Sequence, residues 1–187
     1  MDPQNVGSFP ERISGKKIII RPAVPEDRRP VFEWLTRSDL THRMMGPPTY
    51  PDSPVPTWKE FINDYREHFF DGSDPYSGRC YIIQVKDEAI GQINHDRIHI
   101  EDYSTELDIW LKSSKYTHRG FGTDAILTLC NYLTTQYGCK IFKMAPSKRN
   151  TIAVRAYEKA GFIPAEENTV SAHSEYPDAL LMIRTLR

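Results

Sequence analysis

Glu106-Leu-Asp-Ile-Trp-Leu-Lys-Ser-Ser-Lys-Tyr-Thr-His-Arg-Gly-Phe-Gly-Thr123-Asp-Ala-Ile is the stretch from which the rest of the chain is best read. Its first seven residues alternate as a strand does. Leu107, Ile109 and Leu111 share one face, which reads as core, and Glu106, Asp108 and Trp110 share the other. A short loop follows, and then Gly120 and Gly122 lead into a run in which Ile126, Leu129, Cys130 and Leu133 recur at helical spacing. Glycines at such a junction let the main chain approach a ligand closely. The free N–H groups of a helix's first turn, with its dipole, favour an anion there. Arg119 and Lys115 add positive charge beside the turn. Taken alone, the pair of glycines fits a simple tight turn equally well. No third glycine completes a dinucleotide-binding pattern, and no Gly-Lys-Ser/Thr makes a P-loop.

A second informative stretch lies about thirty residues on: Ala145-Pro-Ser-Lys-Arg-Asn150-Thr-Ile-Ala-Val-Arg-Ala-Tyr157-Glu-Lys-Ala-Gly-Phe162. Asn150 is a good N-cap. Ala153, Ala156, Tyr157 and Ala160 form a helical stripe, and Gly161 is a natural stop. A core tyrosine with its hydroxyl satisfied would explain Tyr157 as well as a functional one does.

Outward from these two stretches the chain alternates. Lys17–Arg21 reads as a strand, Pro22–Arg37 as a helix, and Thr57–Phe70 as a second helix with Trp58, Phe61, Ile62, Tyr65 and Phe69 on one stripe. Between them, residues 46–56 hold five prolines, too many for helix or sheet, and are expected to fold stiffly over the acceptor end of a cleft with Tyr50. Strands are expected at Arg79–Lys86, Ala89–Ile98 and Glu106–Lys112. A helix at Thr123–Tyr137 then feeds a strand at Lys140–Met144. A helix at Thr151–Ala160 precedes Phe162 and a closing strand within Ala179–Leu186. Clustered hairpins followed by alternating helices and strands predict an α/β (α+β) fold, a mixed sheet of six to seven strands with helices on both faces. One domain is expected over residues 16–187, after a flexible polar lead-in at residues 1–15.

Composition narrows the classes. The 187 residues carry a net charge of -1, so no broad nucleic-acid surface or polybasic membrane patch is expected. No apolar run is long enough to span a bilayer, and the start has no signal-peptide pattern. Cys80, Cys130 and Cys139 lack paired metal-ligand spacing and read as buried free thiols, which favours a cytoplasmic setting. No metal is expected.

Together the two stretches resemble the GNAT superfamily of N-acetyltransferases. The family's pyrophosphate pattern, [QR]-x-x-G-x-[GA], falls on Thr117, His118, Arg119, Gly120, Phe121 and Gly122, with Thr123 opening the helix. Thr117 stands where Gln or Arg is usual. The second pattern, N-x-x-[AS]-x-x-x-Y-x-x-x-G-F, is met at Asn150, Ala153, Tyr157, Gly161 and Phe162. The motifs cover about residues 105–162, and the element order extends the likeness to nearly the whole chain. Arg21, Pro22 and Asp27 resemble the ribosomal-protein and small-amine branch. Glu33-Trp34-Leu35 and Arg155-Ala-Tyr-Glu-Lys-Ala-Gly-Phe162 resemble the aminoglycoside 6′-N-acetyltransferases. That branch usually carries Asp-Pro where this chain has Ala145-Pro146, which argues against a standard aminoglycoside.

The resemblance implies acetyl-CoA as co-substrate and a small-molecule cationic amine as acceptor, with the protein a monomer or homodimer. It places the cofactor against residues 117–123, Asn150, Ala153 and Tyr157. The thioester carbonyl is then expected to meet a backbone N–H among Ile109, Trp110 and Leu111. Tyr157 is the implied general acid; a phenol ordinarily titrates at about 10, above a thiol's roughly 8.5, so protonation of the leaving sulfur is feasible but uphill. For the base, Asp108 comes first and Glu106 second. His95 and Asp96 are candidates to line the same cleft, though a lone strand histidine is equally a structural one. Acetylation of a protein N-terminus or lysine, and a non-catalytic acyl-CoA-binding module, are the competing readings.

Overall fold

The computed structural model describes residues 12–44, 55–165 and 178–186. Its centre is a sheet of eight strands: β1 (Ile13–Ser14), β2 (Ile19–Pro22), β3 (Arg79–Val85), β4 (Glu88–His95), β5 (Ser104–Leu111), β6 (Ile141–Met144), β7 (Ile163–Pro164) and β8 (Met182–Thr185). The spatial order is β1-β2-β3-β4-β5-β6-β8-β7. All neighbours are antiparallel except β5 and β6. The strand beyond the expected six to seven is β1, two residues of the presumed lead-in that pair with Ile19 and Ile20.

Helices cover both faces, as the mixed pattern requires. The odd-numbered residues Tyr81, Ile83, Ile93 and Leu107 pack with Ile126, Leu129 and Leu133 of α5 (Phe121–Tyr137) and with Tyr157 and Ala160 at α6 (Thr151–Lys159). The even-numbered Cys80, Ile82 and Trp110 pack with Val31 and Phe32 of α1 (Arg28–Arg37), Phe61 of α3 (Trp58–Asp64), and Phe69 and Phe70 of α4 (His68–Asp71). A four-residue α2 (Thr41–Met44) follows α1. The period of two along the strands thus builds two apolar layers. The proline-rich segment expected over the cleft falls, at residues 45–54, outside the described residues.

Thr57–Phe70 is two helices rather than one. Thr57 caps α3 in a reciprocal box with Glu60, but Tyr65 leaves the helix at φ -91, ψ 75. The reason is Arg28: its guanidinium donates to the carbonyls of Ile62 at 2.8 Å and Tyr65 at 2.6 and 3.0 Å, supplying a charged partner for the orphan end of the helix. Hydrophobic spacing continues across that break, which is why periodicity alone runs through it.

The Arg21 and Asp27 pair is structural. Its two hydrogen bonds, at 2.7 and 2.9 Å, close the turn between β2 and α1, and Asp27 also accepts the N–H of Val24 at 2.8 Å. The three cysteines are free and buried. Burial pushes the Cys130 thiol up to about 12 and that of Cys139 to about 11, so neither is a ready nucleophile.

Candidate active site

Strands β5 and β6 separate part-way along their length. They pair in parallel at Ser104↔Ile141, Thr105↔Phe142 and Glu106↔Lys143, and the pairing stops there although β5 runs on to Leu111. The sheet therefore opens from Leu107 onward. Into this opening face the side of α6 and, on the other layer, the break between α3 and α4, while the start of α5 lies against the Ile109 side chain. A cleft of about 1410 Å³ results, and Glu106, Asp108, Ile109 and Tyr157 all line it.

At the turn before α5, His118 (φ 58) and Gly120 (φ 80) both take left-handed backbone conformations. Alternation of that kind turns successive N–H groups inward as an anion nest. Gly122 is ordinary helix, and a Cβ built on it would meet only Ile109 Cδ1, at 3.9 Å. A side chain there would fill open space directly above the helix start. These features fit a pyrophosphate-bearing co-substrate.

Two residues of this turn escape motif reading. Asp124, 8% exposed in the first turn of α5, accepts the N–H groups of Lys16, Lys17 and Ile18 at 2.6 to 3.1 Å. It thereby ties the β1–β2 hairpin to the helix start. Lys17 Nζ then lies 3.1 Å from the Arg119 carbonyl, adding a cation from 102 residues away. No local pattern could have found either. Lys115, expected to add charge beside the turn, pairs with Glu88 at 3.7 Å over the Tyr116 ring. Arg119 stands over the Phe121 ring. The Thr123 hydroxyl donates to the Ala156 carbonyl at 3.2 Å, which ties α5 to α6 and leaves only its main chain for a ligand. Thr117 likewise turns its hydroxyl inward, to Ser114.

Asn150 caps α6 through the Ala153 N–H at 3.2 Å, as expected, and also lines the cleft. Ala153 is partly buried against the core. Tyr157, 7% exposed, reaches the cleft from the core layer. Trp110 shares the face of Asp108, as the alternation demands, but is only 5% exposed and forms the cleft floor beneath Tyr65. Its main chain faces β4, because β5 alternates: Glu106 and Lys112 both hydrogen-bond to that strand. Of the three expected amides, those of Ile109 and Leu111 therefore face the opening, and that of Trp110 does not.

On the acceptor side, Asp108 Oδ1 accepts the Ile109 N–H at 2.8 Å, and Oδ2 accepts the Tyr65 hydroxyl at 3.2 Å. The protein walls around Asp108, and then the Asp96 carboxylate, push its pKa up to about 6; the two hydrogen bonds pull the other way. Asp108 is nevertheless exposed to solvent, which screens this shift. Glu106 lines the same wall at the last residue β5 shares with β6. Tyr65, placed by spacing on a core stripe, reaches Asp108 only because α3 breaks at that residue.

His95 and Asp96 part company. Asp96 lines the cleft, whereas His95 is 0% exposed on the opposite face, near Tyr81 and Tyr137. Burial depresses its imidazole to about 4, and its Nδ1–H donates to the Asp96 carbonyl at 2.9 Å. Among the described residues, no group of three His, Cys, Asp or Glu could hold a metal, and no helix is long and apolar enough to cross a membrane.

Comparison with known proteins identifies the family. The acetyltransferase (GNAT) domain family matches residues 17–163. No curated protein matches the chain in sequence. Among solved structures, the aminoglycoside acetyltransferase AAC(6')-Ib, in complex with paromomycin and acetyl-CoA, is 21% identical with a TM-score of 0.67, over 91% of this chain and 94% of that one. Spermidine N-acetyltransferase from Vibrio cholerae, in complex with CoA and spermine, is 17% identical at TM-score 0.69, over 90% and 95%. RimL, a ribosomal alpha-N-protein acetyltransferase in complex with coenzyme A, is 14% identical at 0.72, over 94% and 98%.

Proposed function

The chain belongs to the GNAT acetyltransferase family, and from that premise we propose that its acceptor is a primary amine on a small cationic molecule. It is an acetyl-CoA-dependent N-acetyltransferase. The observation that carries the acceptor reading is the clustering of Asp108, Glu106 and Asp96 on the cleft wall beside the opening of the sheet. An acceptor that arrives as an ammonium is attracted to carboxylates, yet it must become neutral before it can attack. Both needs are met at one place.

The co-substrate supplies an activated carbonyl and a thiol leaving group. The chain's part is to place and to move protons. The turn from His118 to Thr123, with Lys17, holds the phosphates. Asp108 takes the ammonium proton: an amine ordinarily titrates near ~10.4, so a carboxylate raised to about 6 is a better-matched acceptor than an ordinary one. The Ile109 N–H, facing the opening, supplies a hydrogen bond for the developing oxyanion. Tyr157 returns a proton to the sulfur. Glu106 and Asp96 hold the rest of the acceptor's charge.

Release of free CoA thiol, followed across polyamines, aminoglycosides, amino acids and peptides with free N-termini, tests this reading. Turnover of small di- or polyamines with poor turnover of kanamycin is the expected result. Ala145 lines the cleft where the aminoglycoside branch carries a carboxylate, and one lost charged contact costs about 1.5–3 kcal/mol. Efficient kanamycin acetylation, or turnover confined to peptides, would overturn the acceptor assignment.

A further inference from the structure

The residue of β5 beside the start of α5 is also one of those whose amide the sheet does not use. Asp96 N–H donates to the Glu106 carbonyl and Lys112 N–H to the Ile90 carbonyl, each at 2.9 Å, so the even-numbered residues of β5 turn their main chain towards β4. Ile109 turns its N–H the opposite way, past Glu106↔Lys143, where β6 has already separated. Its side chain meanwhile lies 3.9 Å from where a Cβ on Gly122 would stand. An unshared amide beside the start of α5 is a ready donor for a carbonyl oxygen. In this structure it already has a partner: Asp108 Oδ1, 2.8 Å away.

We propose that the Asp108 carboxylate masks the Ile109 amide, and that the acyl carbonyl of the co-substrate displaces it, freeing Oδ1 to turn to the acceptor ammonium. The inference rests on the acetyl-transfer reading above. No covalent bond changes in this step; one hydrogen-bond acceptor replaces another on the same N–H. The exchange makes the base available only when an activated carbonyl is in place. It favours binding of acetyl-CoA before the amine, and CoA, which has no carbonyl at that point, leaves the mask closed.

The sign of the effect on Asp108 follows. The amide hydrogen bond stabilises the charged carboxylate, so losing it makes the group hold its proton more tightly. Tyr65 and Asp96 act directly on Asp108, and the other charged or titratable groups lining the same cleft are Arg43 on α2, Glu60 and Asp64 on α3, Arg66 and His68 at the α3–α4 break, Arg97 after β4, Glu106 on β5 and Tyr157 on α6. A comparison of CoA with acetyl-CoA leaves all of these in place and changes only the carbonyl.

Calorimetry of CoA and of acetyl-CoA, without amine, on wild type, Asp108→Asn and Asp108→Ala tests the mask. Removing the carboxylate should raise the preference for acetyl-CoA over CoA by roughly three- to ten-fold, with Asp108→Asn between, as expected when a carbonyl no longer displaces a hydrogen bond worth about 1 kcal/mol. A carboxyl-carbon NMR titration of the wild type needs no variant. Asp108 should titrate at a higher pH with acetyl-CoA bound than with CoA bound. Equal preference in all three proteins, or equal titration in the two complexes, would overturn the proposal. Absence of CoA binding to any of them would remove the acetyl-transfer reading itself.

Discussion

The hydroxyl of Tyr65 donates to Asp108 Oδ2 at 3.2 Å, joining the helix break to the cleft carboxylate across 43 residues of sequence. The bond favours the charged form of Asp108 and opposes the effect of its protein surroundings. Tyr65→Phe removes it, so Asp108 should become a weaker acid. The acid limb of kcat/KM for the amine should move to higher pH by roughly half to one pH unit, as expected from loss of about 1 kcal/mol. An unmoved limb would show that the group titrating in that profile is not Asp108.

Gly122 separates space from backbone strain. Its conformation suits any residue, so Gly122→Val should keep the wild-type far-ultraviolet circular dichroism while calorimetric binding of CoA is lost. Lys17→Ala should weaken CoA by roughly three- to ten-fold, the effect of one charged contact near solvent. Undiminished binding in the valine variant would place the phosphates elsewhere.

Tyr157→Phe keeps the ring that packs near Phe162 and removes only the hydroxyl. A fall in kcat of roughly ten- to a thousand-fold with little change in CoA affinity is expected for loss of a general acid. Steady-state kinetics beside calorimetry separates the two. An unchanged kcat would assign the sulfur's proton to water.

His95 should make the fold sensitive to acid. Its folded pKa of about 4 lies below the ordinary ~6.5, so the unfolded chain binds a proton that the native state refuses. Stability is full above that ordinary value and is lost as pH falls through about 4, by about 3 kcal/mol from this group. Urea midpoints measured from pH 7 to 4 should fall accordingly, and the His95 ring proton should not titrate above pH 5. A ring that titrates near pH 6.5 would show that it is solvated rather than buried.

Local chemistry was legible in the chain itself. Alternation along β5 put Asp108 and Glu106 on one face, and the cap at Asn150, the turn at Gly120 and the helical stripes of α5 and α6 were all readable, because each depends on neighbours a few residues apart. The same reasoning ran a single helix through Tyr65, counted Lys115 as positive charge beside the turn, and left His95 a candidate for the cleft. Each of these depends on a partner remote in sequence: Arg28 at the end of α3, Glu88 under Lys115, and the aromatic rings around His95. What the sequence alone determined was the family, the fold class and the set of residue types available to the chemistry. Tertiary structure decided which amides of β5 are free of the sheet, which carboxylates share the cleft, and that Lys17 and Asp124 complete the turn. Those are long-range pairings, fixed by where strands separate and helices end, and no spacing along the chain encodes them.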